Sequence, residues 1–169
     1  MTLAELYLSE FDQECENTRK MLRQIPADKL AWQPHAKSMS LAGLATHLAN
    51  VFSWMPIILE QPCLDLAPNG VALPHLKPAE SVEEIVQAFE QNAARARAAL
   101  ANADDEQLGR PWSLLMNSRV IFTQPRFAAL RHSVMNHLIH HRAQLGLYLR
   151  LNDVAVPGMY GPSADEKGG

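Results

Sequence analysis

The segment from Pro125 to Asn152 constrains the fold most, because it repeats one stripe of side chains at the spacing of a long amphipathic helix. Pro125 suits the first turn of this helix, where its missing N–H group costs no hydrogen bond. The stripe positions lie three or four residues apart, and they are Phe127, Leu130, Val134, His137, His141, Leu145 and Tyr148. The apolar face of the predicted helix therefore includes histidines.

The amino-terminal part of the chain predicts helices by the same spacing. Residues 3–25 carry apolar side chains every three or four positions, and a proline follows them. A second stripe over residues 41–59 predicts another helix, which Ser38 or Ser40 is expected to cap. Pro56 either kinks this second helix or marks its last turn.

Long connections separate the remaining helices. Residues 61–78 contain several prolines and an Asn-Gly pair, so we expect a crossover loop there, of a length that often shapes a pocket. A third helix is expected to open with a capping box formed by Ser81 and Glu84. Residues 104–125 are irregular, with a short β-like segment predicted at residues 119–123.

Four predicted helices with long connections indicate an all-α fold, a four-helix bundle with crossover connections. The 169 residues, with a mass of 18.8 kDa, suit a single domain spanning 1–169 that buries one core. Hydrophobic residues make up 47% of the chain and charged residues 20%, which excludes intrinsic disorder.

The charge balance argues against nucleic acid as a partner. The chain has 15 Lys and Arg against 18 Asp and Glu, a formal net charge of -3, and no basic stripe. The amino terminus lacks the pattern of a secretory signal, and Glu60 interrupts the most apolar run, so we expect a cytoplasmic protein without a membrane span. Cys15 and Cys63 are too few for a disulfide framework and are expected to be reduced thiols.

His137 and His141 can bind one ion together, because residues four apart on a helix lie one turn apart on the same face. A buried imidazole needs a hydrogen-bonding or metal partner to offset its desolvation. Zn²⁺ and Ni²⁺ bind neutral imidazole, and a catalytic site typically has three protein ligands plus water. His47, at the edge of the second stripe, is the best candidate for a third ligand. The alternative is a hydrogen-bonded pair of core histidines without metal.

The other histidines have simpler interpretations. His140 can at most contact one of the metal-binding histidines, and His132 points away from the stripe toward solvent. His35 and His75 fall in loops and are expected at the surface. Leu138 stands where the HExxH motif of zinc proteases has its glutamate, which argues against a metalloprotease.

Several strings of the chain form a recognisable pattern. At the carboxy-terminal end they are NHLIHHRAQL at residues 136–145 and VPGMYGPSADE at residues 156–166. Earlier in the chain, KLAWQPHAKS at residues 29–38 precedes LATHL at residues 44–48. These strings resemble the DinB-like (damage-inducible) family of proposed metal-dependent enzymes, which is related to bacillithiol- and mycothiol-dependent transferases. The resemblance covers most of the chain.

The resemblance implies a bundle of up-down-down-up order, a homodimer, and a divalent metal ion bound by three histidines. Carried over residue by residue, the ligands are His47, His137 and His141, and the ion is expected to be Zn or Ni. Ala143 departs from the pattern, because the family often has glycine there. This departure does not change the assignment of the three ligands.

Relatives of this kind include thiol transferases and an isomerase that use low-molecular-weight thiols. A divalent ion stabilises a thiolate or a hydroxide at neutral pH. The resemblance therefore implies a metal-dependent transferase or hydrolase that acts on small molecules, with a thiol as a candidate cosubstrate. Gln144 and Tyr160 are candidates for orienting the substrate, although each can instead make a structural hydrogen bond. The alternatives are a non-catalytic metal-binding protein of the stress response and a bundle without metal.

Overall fold

The computed structural model describes residues 1–166, which form a mainly helical fold with a small sheet. The last residues of the predicted domain, 167–169, lie outside the described part. The helices are α1 (Leu3–Leu22), α2 (Leu41–Asn50), α3 (Trp54–Glu60), α4 (Val82–Ala101), α5 (Asp105–Gly109), α6 (Arg126–Ala129) and α7 (Asn136–Leu151). The strands are β1 (Cys63–Asp65), β2 (Pro111–Met116) and β3 (Arg119–Pro125).

The longest helices pack around one apolar core. Helix α1 packs against α4 and α7, and α2 packs against the same two helices. Aromatic rings join the layers, because the Phe52 ring lies 4.6 Å from Phe11 of α1 and 5.9 Å from Phe89 of α4, measured between centroids. Burial of these apolar side chains is the main stabilising contribution to the fold.

Side-chain caps fix where the helices begin. Ser40, one of the two predicted caps, accepts a hydrogen bond from the N–H of Gly43 at the start of α2. Ser81 likewise accepts from the N–H of Glu84 at the start of α4. The Glu84 carboxylate accepts from the N–H of Glu80 rather than of Ser81. Only half of the predicted capping box is therefore present.

The second predicted helix is divided in two. A 3₁₀ turn at Val51–Ser53 separates α2 from α3. Pro56 lies in the first turn of α3, where backbone N–H groups have no partner within the helix, so proline is tolerated without a kink at that residue. Helix α1 also differs from the prediction, because it ends at Leu22. The N–H groups of Gln24 and Ile25 donate to carbonyl groups three residues earlier, as in a 3₁₀ turn.

The prediction of an all-α four-helix bundle is wrong, because the two long connections contribute strands that pair with each other. Strand β1, from the proline-rich connection, pairs in parallel with β2, and β2 pairs in antiparallel fashion with β3. Asn117 and Ser118 join β2 to β3 with positive φ angles of 50° and 62°, as the favoured two-residue hairpin turn requires. The β-like segment predicted at residues 119–123 is confirmed within β3.

The predicted long helix at the carboxy-terminal side is confirmed, with one irregularity. Helices α6 and α7 are continuous through a π-helical segment, Leu130–Met135. The wider turn brings Met135, which is outside the predicted stripe, into the core beside Val134. His137 follows directly in α7, so the irregular segment leads into the candidate ligands.

The helices between Leu41 and Glu60 form the most apolar region of the chain. Taken together they are 20 residues long and apolar enough to cross a membrane by length and composition. In the structure 61% of the apolar window is buried against the rest of the protein. Such burial is what the core helix of a soluble protein shows, so this region forms part of the protein core.

Candidate metal centre

Three half-buried histidines from two helices meet at one point. Helix α2 supplies His47, and α7 supplies His137 and His141, which are one helical turn apart. The ring centroids lie 4.9 Å apart for His47 and His137, 4.5 Å for His47 and His141, and 4.7 Å for His137 and His141. Packing of α2 against α7 therefore brings the three predicted ligands into one cluster.

The spacing of the ring nitrogens suits a single ion. One nitrogen from each imidazole lies within 4.8 Å of the others, and the Nε2 atoms of His47 and His137 are 3.0 Å apart. Two nitrogens that bind one tetrahedral Zn²⁺ are separated by about 3.3 Å, given Zn–N distances of about 2.0–2.1 Å. In the absence of metal, the same approach is a hydrogen bond between one protonated and one unprotonated ring nitrogen.

Backbone and side-chain acceptors orient the two imidazoles of α7. His141 Nδ1 lies 2.7 Å from Oε1 of Gln144, and His137 Nδ1 lies 3.3 Å from the carbonyl oxygen of Ser133. Both partners are oxygen acceptors, so each Nδ1 carries the hydrogen and each Nε2 presents a lone pair. The donor set is therefore prepared for a divalent ion.

Burial keeps the cluster neutral. Desolvation, together with the neighbouring His141 and His137, lowers the pKa of His47 from 6.5 to about 4. Desolvation also lowers the pKa of His137 and of His141 below the ordinary histidine value. Neutral imidazole is the form that binds metal, so the site is ready to bind an ion at neutral pH without releasing protons.

The proline-rich connection forms part of the surroundings of the cluster. A cavity of about 520 Å³ is lined by His47, by Trp54 of α3, and by Leu73 and Leu76 of the connection. His132 and His140 line a second cavity of about 410 Å³ together with His137 and Trp54. The cluster is thus open to small molecules rather than sealed in the core.

The two predicted substrate-orienting residues lie in different places. Gln144 contacts the cluster directly through His141. Tyr160 instead contacts a buried ion pair, because its hydroxyl accepts a hydrogen bond from Arg142 at 2.6 Å and donates one to Glu14 at 2.9 Å. These contacts are structural, and a catalytic role for Tyr160 stays a prediction.

The ion pair between Arg142 and Glu14 is a feature that sequence reasoning missed. The side chains are only 2% and 5% exposed, and Arg142 Nη2 lies 2.5 Å from Glu14 Oε2. Arg142 Nη1 also donates to the Thr18 hydroxyl at 3.2 Å. A signal was available, because Glu14 and Thr18 both lie at core spacing in α1. The pair fixes α7 to α1 directly beside His141.

The remaining histidines lie where the sequence predicts. His132, His140, His35 and His75 are all exposed. The His140 ring lies 4.9 Å from the His141 ring, which fits the expected contact with a ligand. Ala143 is exposed on α7, so its methyl group adds little packing in place of the glycine frequent in the family.

Comparisons with known proteins agree on one family. The model of the DinB family matches residues 1–167. A DinB-like protein from Bacillus cereus ATCC 10987 has a similar structure, with a TM-score of 0.70 and 22% identity over 94% of this chain and 98% of that one. A DinB-like protein from Bacillus subtilis gives a TM-score of 0.67 and 19% identity over 90% of this chain and 96% of that one. No curated protein matches.

Proposed function

This chain belongs to the DinB family, and from its three converging imidazoles we propose that it is a metal-dependent enzyme in which His47, His137 and His141 bind one divalent ion. The observation that carries the proposal is the cluster itself, with one nitrogen from each ring within 4.8 Å of the others. Three neutral imidazoles that face one another in a cavity are a typical catalytic donor set for Zn²⁺. We propose Zn or Ni, since imidazole suits both ions.

Each residue around the cluster has a defined part in this proposal. The three histidines would hold the ion, and two of them, His47 and His137, line the cavities beside Trp54. Gln144 keeps the hydrogen of His141 on Nδ1, so that Nε2 faces the ion. When bound, a divalent ion supplies the positive charge that lowers the pKa of a thiol or of water to near neutrality.

We propose a thiol or water as the nucleophile, with S-transfer to a small molecule as the first choice and hydrolysis as the second. The resemblance to thiol-dependent transferases supports the first choice, and the access to the cluster from two cavities supports a reaction of two small molecules. We also propose that the enzyme is a homodimer, as the family resemblance implies, and that it is cytoplasmic, since its most apolar helices are mostly buried in the core.

An activity screen tests the proposal. The untagged protein, loaded with Zn²⁺ or Ni²⁺, is assayed with bacillithiol, mycothiol and other low-molecular-weight thiols against 1-chloro-2,4-dinitrobenzene, and separately with neutral ester substrates. The thiol sulfur bonds to the ring carbon, chloride leaves, and the thiol proton goes to solvent. We expect His137→Ala to abolish metal-dependent turnover, while His35→Ala, an exposed loop variant, retains it. Equal turnover by wild type and His137→Ala would contradict the proposal.

A further inference from the structure

Two adjoining cavities next to the histidines have the same kind of wall. Their volumes are about 520 Å³ and about 150 Å³, and His47, Trp54 and Leu76 line both. We call the two together the histidine cleft. Cavities of several hundred Å³ are typical of sites that bind small molecules. The cleft therefore has the size to hold a substrate beside the cluster.

The wall of the histidine cleft is apolar and uncharged. Trp54, Leu66, Leu73 and Leu76 supply much of its surface. Among the described residues that line it, none is Asp, Glu, Lys or Arg, and only histidines can carry a charge. A carboxylate or phosphate that entered the cleft away from its histidines would lose its hydration without gaining a cationic partner.

The few polar side chains of the wall are already engaged within the protein. The Asn50 amide donates to the carbonyl of Thr46 at 2.8 Å, and its oxygen accepts from Asn92 at 3.1 Å. The Ser53 hydroxyl donates to the carbonyl of Asn50 at 2.7 Å. Ser40 accepts from Gly43 as the cap of α2. The hydroxyl hydrogen of Ser40 and one amide hydrogen of Asn50 remain for a ligand, and both are neutral donors.

The part of the cleft formed by the proline-rich connection has exposed leucines that a ligand can cover. Leu73 is 41% exposed and Leu76 is 56% exposed, although both are large apolar side chains. Hydrogen bonds hold the backbone around these leucines in place. The N–H of Leu73 donates to the carbonyl of Leu66, and the N–H of Ala79 donates to the Thr46 hydroxyl, each at 2.9 Å. Covering such side chains with an apolar ligand is favourable.

We propose that the histidine cleft binds an uncharged, largely apolar small molecule, the second substrate, with its reacting atom toward His47 and His137. That this ligand is a substrate rests on the proposed metal-dependent function, whereas its binding depends on the wall alone. The proposal excludes phosphorylated or carboxylated molecules whose charge would lie against Trp54 and Leu76. Among the described lining residues, only His47, His75 and His137 could compensate a negative charge.

A matched pair of probes tests the proposal on the full chain. Calorimetric titration compares 1-naphthalenemethanol with 1-naphthoate, using metal-free protein and zinc-loaded protein. The metal-free sample matters because a carboxylate can bind zinc directly. We expect the metal-free protein to bind the alcohol at least about tenfold more tightly than the carboxylate.

Two arginine variants locate the binding. Leu76→Arg places a charge at the wall, and its exposed position tolerates the change. Val120→Arg is the matched control, because Val120 is 60% exposed in β3 and does not line the cleft. We expect Leu76→Arg to weaken binding of the alcohol by about tenfold and Val120→Arg to leave it unchanged.

Several results would overturn the inference. They are equal or tighter binding of 1-naphthoate by the metal-free protein, no saturable binding of the alcohol below about 1 mM, and unchanged binding by Leu76→Arg. Zinc content, measured on the same loaded samples, separates this inference from the proposed function. Binding of the alcohol by a protein that takes up no zinc would support the cleft and contradict the metal centre.

Discussion

The Nδ1 atom of His141 lies 2.7 Å from the Oε1 atom of Gln144, three residues further along α7. The amide oxygen accepts the hydrogen of Nδ1, and the lone pair of Nε2 is left toward His47 and His137. A partner of this kind fixes the tautomer and the orientation of a metal-binding imidazole. Gln144 is therefore a positioning residue for the proposed centre.

Replacing Gln144 with leucine should weaken zinc binding by roughly 10-fold to 100-fold, because His141 loses its acceptor. Competition with a chromophoric zinc chelator measures the affinity. Gln144→Glu keeps an acceptor oxygen and should restore most of the affinity. Wild-type affinity in Gln144→Leu would show that the contact does not position the ligand.

Breaking the buried pair of Arg142 and Glu14 should destabilise the protein strongly. Arg142→Met leaves the Glu14 carboxylate buried without its charged partner, and such a change costs about 3–5 kcal/mol in the free energy of unfolding. The double variant Arg142→Met with Glu14→Gln should recover part of this loss, because no unpaired charge remains. Urea unfolding of the four proteins of this cycle measures the coupling, and strictly additive effects would contradict it.

The metal-free protein should lose stability as the pH falls from 6.5 toward 4, because the folded His47 resists protonation. Its pKa is lowered from 6.5 to about 4 in the folded protein, so in this range the unfolded chain binds a proton that the folded protein does not bind. Above the ordinary value of 6.5 both states are neutral and the contribution vanishes.

Urea unfolding of the chelator-treated protein at several pH values measures this effect. The difference between wild type and His47→Gln isolates it from other groups that titrate in the same range. We expect the wild type to lose more stability on acidification than His47→Gln. Parallel pH profiles would contradict the lowered pKa of His47.

Replacing Ala143 with glycine should cost about 1 kcal/mol of stability, because glycine in an exposed helix interior has a larger entropic cost than alanine. The side chain is exposed and is not one of the clustered histidines, so zinc affinity should stay at the wild-type value. Chemical unfolding and a zinc titration of the same variant measure both quantities. A loss of zinc affinity would show that this position affects the ligands.

The cluster could be predicted from the sequence because its geometry is mostly local. His137 and His141 are one helical turn apart, which places both on one face wherever α7 packs. For His47, its position at the edge of the α2 stripe was enough to predict it as the third ligand. The structure brings the three together as predicted.

Features that depend on distant partners could not be predicted. Strand β1 has only three residues and gains its structure by pairing with β2, far along the chain. The spacing of Glu14 in α1 indicates burial, but its pairing with Arg142 depends on α1 meeting α7. The sequence predicts a kink or a helix end at Pro56, whereas the break between α2 and α3 lies earlier, at Val51–Ser53. In each case, tertiary packing overrides the local signal.

Metal content tests the central claim most directly. Elemental analysis of the untagged, freshly purified protein, compared with His137→Ala, avoids metal carried by a histidine tag. We predict about one Zn or Ni per chain in the wild type and almost none in the variant, as one three-histidine site requires. A wild type that contains no metal, and takes up neither added Zn²⁺ nor added Ni²⁺, would contradict the metal centre and leave a hydrogen-bonded histidine cluster.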